Sequence, residues 1–314
     1  MNIIEQLRKN SVEAIFSTPT IQACWPIWKE KINEFLGDEP TAEDLLGLGN
    51  HLSEIFNSTK SEGRGQGEVS AGGTAWESIV AWYINLCTVG TRVVAVKKMS
   101  LVPKPIQDAI TVNYGNFSCN TESDITVIIF PDENEFTEDI EESAELVTAQ
   151  GSINYSVLDS FVSRRFSSFG IGVIHCNPIW DDTAQIPMLW DMIYSKGGFR
   201  ERNITIGKHS FSIQRCASFT YAFVTAPSNV GLKYKAELLA VKRVTNLSGG
   251  NYWGKETEEN VAKSVKEIFV NNYLAGYSRS ILEDIALNLT EFTEGSKYEY
   301  FKINKRLFHF DCRQ

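Results

Sequence analysis

FGIGVIHCNPIWDDTAQIPMLWD, residues 169–191, opens with an apolar run from Phe169 to Ile174 of strand length and strand composition. His175, Cys176 and Asn177 continue it. Pro178 ends it, because proline has no N–H to give to a ladder. A polar cluster follows, Asp181, Asp182, Thr183 and Gln185, between Trp180 and Trp190. A strand that ends in polar groups holds them rigidly at the rim of a sheet. Side chains alternate along a strand, so His175 and Asn177 share a face while Cys176 points the other way, into the core.

The surrounding chain has the make-up of a folded globular protein. Of its 314 residues, 43% are hydrophobic and 11% aromatic, enough for one large core. No run of 18 apolar residues occurs, so no transmembrane helix is expected. The first residues, MNIIEQLRKNSVEAIF, form an amphipathic pattern with internal charges rather than a signal peptide. The six cysteines are scattered without a CxxC pair or zinc spacing, which predicts reduced, mostly buried thiols and a cytoplasmic setting.

The net charge of −9 argues against a uniformly basic nucleic-acid binder, but the charge is unevenly distributed. Between Lys196 and Lys255 there are ten Lys/Arg and two acids, a net of +8, so the remainder carries −17. Such asymmetry fits one surface for an anionic partner, or else a solvated basic face.

Residues 1–60 have helical spacing, with Pro19 and Pro26 as breaks and a new helix from Thr41 with an acidic first turn, running through Ile55. Ser61 to Gly73 holds five glycines and is expected to be a loop; it lacks the strand before it and the GK[ST] ending of a phosphate cradle. TAWESIVAWYINLC, 74–87, predicts a helix that is apolar almost all round, hence buried. Glu77 is its only charge, either a first-turn acid favoured by the helix dipole or a functional carboxylate held by a partner. Strands are expected over Thr91–Met99, at Ile125–Phe130 with Asp124 opening it, and over 218–228 and 236–244. Asp132 to Glu145 carries eight acids and no base, an acidic insertion unsuited to facing DNA. Helices are expected over 154–168, 184–194, 258–274 and 280–289, with a loop at 247–255. No repeat and no linker divides the chain. The expected fold is a single α/β domain: a helical part over 1–60, a core over 72–255 and a helical part over 256–314.

Glu77, Asp124 and the pair His175 and Asn177 are candidates to converge. Carboxylates at the ends of adjacent strands, with a helical carboxylate nearby, can hold Mg²⁺, a hard cation that keeps waters for chemistry. A bound water then becomes a nucleophile towards a phosphodiester. No GxSxG or nucleophile elbow supports a serine hydrolase. His175 on an apolar strand also reads as a core histidine.

The stretches GGTAWESIVAWYINLCTVGTR, NTESDITVIIFPD, CNPIWDDTAQIPMLWDMIY and KRVTNLSGGNYWGK resemble type II restriction endonucleases of the PD-(D/E)xK nuclease superfamily. The resemblance spans much of residues 72–255. It implies a central mixed β-sheet flanked by helices, Mg²⁺ dependence and a homodimer acting on double-stranded DNA. It places Glu77 at the helical glutamate and Asp124 at the metal-binding aspartate, and it sets the acid-x-Lys pair on His175 and Asn177. Both depart from that pattern: an acid or amide is expected at the position of His175, and Asn177 carries no charge where a lysine is expected. Lys196 is one candidate substitute, Asp181 or Asp182 an alternative ligand, and an inactive variant a third reading. DNA contacts are expected from Lys242, Arg243, Asn246, Ser248, Asn251 and Lys255, since Arg and Lys reach guanine and Asn reaches adenine in the major groove. A metabolic enzyme or interaction protein with an acidic surface is the reading from another class.

Overall fold

The computed structural model describes residues 1–59, 69–120, 123–139, 146–147, 152–178, 204–226, 235–256, 259 and 261–303. Two long helices open the chain, α1 (Ile3–Phe16) and α2 (Pro19–Leu36). Pro19 starts α2 at a position where its missing N–H costs nothing. Pro26 does not break the helix as expected. It lies inside α2, between Trp25 and Trp28, whose burial outweighs the lost backbone bond. Thr41 and Asp44 form the reciprocal cap that begins α3 (Ala42–Gly47). That helix does not run on to Ile55: a 3₁₀ turn at Leu48–Asn50 separates it from α4 (Leu52–Asn57).

Helix α5 spans Val69–Cys87, beginning before the expected Thr74 and including Gly72 and Gly73, while residues 60–68 lie outside the described chain. Glu77 is therefore in the third turn, where the helix terminus no longer favours a carboxylate. The dipole explanation for Glu77 falls with that placement.

A six-stranded mixed sheet forms the centre. Strands β1 (Val93–Val96), β4 (Ile125–Ile129) and β5 (Gly170–Asn177) run antiparallel to one another in that order. Strands β7 (Ser218–Thr225), β8 (Asn251–Trp253) and β9 (Lys263–Ser264) then continue the sheet in parallel with β5. A smaller antiparallel sheet joins β2 (Val112–Tyr114) to β3 (Phe117–Cys119) and β6 (Ile204–Ile206). The main sheet is covered on both faces, which is why β1 and β4 are apolar at nearly every position. One face packs on α2 and α5 through Val93, Val127, Ile174 and Val224. The other buries Val94, Ile128, Val173 and Phe223 against α6 (Lys104–Ala109) and α8 (Tyr155–Arg165).

The last third departs most from expectation. Residues 236–244 are not a strand, because Leu239–Thr245 form helix α9. Val241 and Val244, three apart, supply its buried stripe, and Lys242 and Arg243 occupy its last turn, where cations suit the dipole. The expected loop 247–255 contains β8, and the expected helix 258–274 is mostly β9, a 3₁₀ turn and the short α10 (Ile268–Asn272). Helix α11 (Ile281–Thr293) confirms the expected helix from Ser280, which caps it. The expected helix 184–194 lies outside the described residues. Among the described residues, no helix is long and apolar enough to cross a membrane.

β1 is an edge strand, and its outer side is closed by side chains. The Asn85 amide on α5 donates to the Ala95 carbonyl at 2.7 Å and accepts the Ala95 N–H at 3.0 Å. Arg8 on α1, fully buried, donates to Val93 O at 2.7 Å, to Thr91 O and to the Thr88 hydroxyl. Glu5 pairs with Arg8 through both carboxylate oxygens and also accepts the Gly90 N–H. Removing one partner of such a pair leaves an uncompensated buried charge. We expect Arg8→Met to lower the unfolding free energy by about 3–5 kcal/mol in urea titrations. Glu5→Gln added to it should recover part of that loss, whereas equal instability of the single and double variants would count against the pairing.

Candidate active site

Three strand ends and one helix meet at one rim of the main sheet. Because β1, β4 and β5 are antiparallel, the end of β1 and the end of β5 flank the start of β4. Asp124 immediately precedes Ile125, which pairs with Ile174, so Asp124 falls beside His175. Lys97 follows Val96, which pairs with Thr126, so it reaches the same rim from the other side. α5 packs on β1 and β5 and brings Glu77 over this end.

Two contacts between basic and acidic side chains result. Lys97 Nζ lies 3.0 Å from Glu77 Oε2. His175 Nδ1 lies 2.9 Å from Asp124 Oδ2, a contact of charge and distance without hydrogen-bond geometry. The Cys176 N–H does donate to Asp124 Oδ2, at 2.7 Å, and fixes the carboxylate against β5. Among the described residues His175 Nε2 is buried without a hydrogen-bond partner, and the ring stacks on Phe223. The four side chains are 12–20% exposed, open enough for water or a small ion and closed enough to strengthen charge interactions.

Burial pushes the Glu77 carboxyl above the usual glutamate range, and the charge of Asp124 pushes it further; Lys97 and then His175 offset part of this. The two carboxylates therefore sense one another across the rim. The Cys176 thiol is also pushed up by burial and by the same two acids, so it stays protonated and is no nucleophile.

The sequence-predicted residues Glu77, Asp124 and His175 are brought together. Asn177 is the last residue of β5, two positions along the same face as His175 and in register with Thr225. Asp181, Asp182 and Lys196 lie outside the described residues. Lys97 was not singled out from the sequence. Its signal was available: two lysines, Lys97 and Lys98, close a strand that is otherwise Val and Ala.

The expected DNA-contacting residues do not share one strand and loop. Lys242 and Arg243 are on α9, and the Asn246 amide donates to the Lys242 carbonyl at 2.6 Å. The Ser248 hydroxyl accepts the Tyr221 N–H at 2.9 Å. Asn251 is buried and borders a cavity of about 610 Å³ with Thr245, Lys263, Asn271 and Asn272. Lys255 Nζ stands 4.7 Å above the Trp253 ring.

Two carboxylates that repel one another are the donor set of a hard cation that completes its shell with waters and substrate oxygens. Among the described residues, Lys97 engages Glu77 through Oε2 and the Cys176 N–H engages Asp124 through Oδ2. Among those residues no group of three His, Cys, Asp or Glu side chains is placed to hold a metal. Carboxylate oxygens suit a hard cation better than the nitrogen and sulfur ligands that zinc prefers. No protein-family model and no curated protein matches this chain.

The raised Glu77 value has a sign that can be checked. Since the folded-state value exceeds that of an unfolded glutamate, Glu77 contributes stability that is present below the unfolded value and lost as pH rises through the folded one. In carbon-detected NMR titrations Glu77 should titrate above the ordinary glutamate range. Asp124→Asn should lower its midpoint and Lys97→Met should raise it; a midpoint indifferent to Asp124→Asn would contradict the coupling.

Proposed function

We propose that the protein is a Mg²⁺-dependent endonuclease that hydrolyses phosphodiester bonds in double-stranded DNA, of the type II restriction kind, acting as a homodimer. The observation that carries this reading is the meeting of Glu77 and Asp124 at one sheet rim with a lysine between the same elements. The mixed α/β sheet supports it, as does the resemblance of residues 72–255 to PD-(D/E)xK nucleases.

Asp124, held by the Cys176 N–H, and Glu77 would hold the cation. Mg²⁺, when bound, neutralises phosphate charge and acidifies a water. Lys97 takes the part that the uncharged Asn177 cannot: its ammonium, already in the site, stabilises the extra negative charge on the phosphorus-bound oxygens as the water attacks in line. His175 keeps Asp124 oriented and adds a polar group beside it. Exposed Lys242, with Arg243 and Lys255, supplies cations for the DNA backbone, which would make binding salt-dependent.

A second reading is a sequence-specific DNA-binding protein that does not cut. It is favoured by the engagement of both carboxylates with basic side chains of the protein, Lys97 and His175.

The test is incubation with plasmid and phage DNA with and without Mg²⁺, followed by sequencing of fragment ends. Asp124→Ala should abolish cleavage while leaving thermal unfolding intact. Lys97→Met should slow it by roughly 10²–10³-fold, the usual cost of one transition-state charge contact. Cleavage by Asp124→Ala at near wild-type rate would sink the assignment. Specific binding without cutting, with cutting gained in Asn177→Lys, would select the second reading.

A further inference from the structure

A second site lies at the opposite end of the main sheet. Strand β5 runs from Gly170 to Asn177, and at about 3.3 Å per residue its start is about 17 Å from His175 in the candidate active site. At that start, the end of α8, the 3₁₀ turn at Phe166–Ser168 and the turn leading into β7 enclose a cavity of about 210 Å³. Its polar lining is Ser163, Arg164, Ser167, Ser210 and Arg215.

The charges of this hollow are all of one sign. Arg165, next door, is neutralised by Glu133 and Glu135. Neither Arg164 nor Arg215 is paired with a carboxylate among the described residues, and no acid lines the cavity. Arg164 rests its guanidinium on the Phe161 ring, 4.5 Å from the centroid, which orients it without spending its donors. Arg215 gives one N–H to the Ser210 carbonyl and keeps the others. Ser163 Oγ is committed to the Asp159 carbonyl, which leaves the exposed Ser167 and Ser210 hydroxyls as further donors.

The turn that supplies Ser210 is held in a costly shape. His209 and Ser210 are consecutive non-glycine residues in the left-handed region, at φ 48° and 71°. His209 is anchored from behind, Nδ1 to the buried Asp108 at 2.9 Å, and Lys104 binds the other Asp108 oxygen. Burial would raise the Asp108 carboxyl, but its bonds to Lys104 and His209 bring it below the usual range, so it stays charged and keeps its grip. The hollow is therefore built on both sides before any ligand arrives.

We infer that this hollow is a phosphate-binding site, distinct from the candidate active site, in which Arg164 and Arg215 clamp a phosphate dianion and Ser167 and Ser210 donate to it. Arginine suits this task because its planar fork matches phosphate oxygens in pairs. The phosphate could belong to a polynucleotide backbone or to a small phosphorylated molecule.

Calorimetric titration with inorganic phosphate decides whether the site exists. The wild-type protein should bind it, and Arg164→Gln/Arg215→Gln should bind at least roughly tenfold more weakly, the loss of its charge-assisted contacts. Thermal unfolding without phosphate checks the fold. If the double variant does not fold, Ser167→Glu, which places a carboxylate in the hollow, takes its place with the same expectation. Absence of phosphate binding by the wild type, or undiminished binding by the variant, would overturn the proposal. The source is separated by duplex DNA binding without Mg²⁺, in an Asp124→Ala background that cannot report on cleavage. A salt slope reduced by about 1–2 in the double variant assigns the phosphate to a polynucleotide. An unchanged slope with phosphate binding lost assigns it to a small molecule.

Discussion

The clamp between α5 and the edge strand β1 fixes most of what matters in this molecule. An unpaired strand edge inside the protein would leave N–H and C=O groups without partners, each costly to bury. Here Asn85 satisfies both groups of Ala95, and Arg8 satisfies Val93 O. A helix apolar on nearly every face has no preferred rotation from burial alone, because every orientation hides a similar area. Directional bonds supply what the hydrophobic effect cannot. Asn85 sets the helix against β1, and Trp76 Nε1, donating to Val224 O at 3.1 Å, sets it against β7. Glu77 follows Trp76 in sequence, and Lys97 is two residues beyond Ala95 on one face of the chain. The contact between Glu77 and Lys97 is therefore a consequence of the clamp.

The rim so constructed holds charge under tension. Two carboxylates share a partly closed space, and the protein meets the repulsion with Lys97 and His175 rather than with hydrophobic replacement. Paired buried charges seldom add net stability over apolar packing. Gathering four titratable side chains, partly shielded from water, at one sheet rim is a cost that apolar packing would avoid, which is the physical content of calling the rim a candidate site.

How much of this could be seen in the sequence depended on range. Local signals were sound: the reciprocal cap at Thr41 and Asp44, the Ser280 cap, the apolar β4 and the strand ending at Pro178 were all in place. Glu77 and Asp124 stood out because each was a charge at the margin of an apolar run. Misreadings came where tertiary packing overrode local pattern. Pro26 sits in a helix because the tryptophans on either side are buried. Val241 and Val244 fit a strand or a helix, and only the face they bury decides between them. Lys97 was overlooked because strand order, not sequence proximity, places it beside residues 77, 124 and 175.

Strand order also bears on the missing lysine. Among the described residues, the elements positioned to bring a cation to this rim are β1, β5 and the facing side of α5. Position 177 on β5 holds an amide, and the α5 residues around Glu77 are Trp76 and Ser78, neither of them charged. That leaves the end of β1. Lys97 begins at the strand terminus and spans the gap to Glu77 with its flexible stem, so its head is set by the carboxylate it meets rather than by the strand. A lysine on β5 would have been directed by the pleat towards the face it shares with His175. The same charge delivered from β1 comes instead from the side of α5. Among the described residues, the rim thus acquires a cation from the end of β1, while position 177 on β5 holds an uncharged amide.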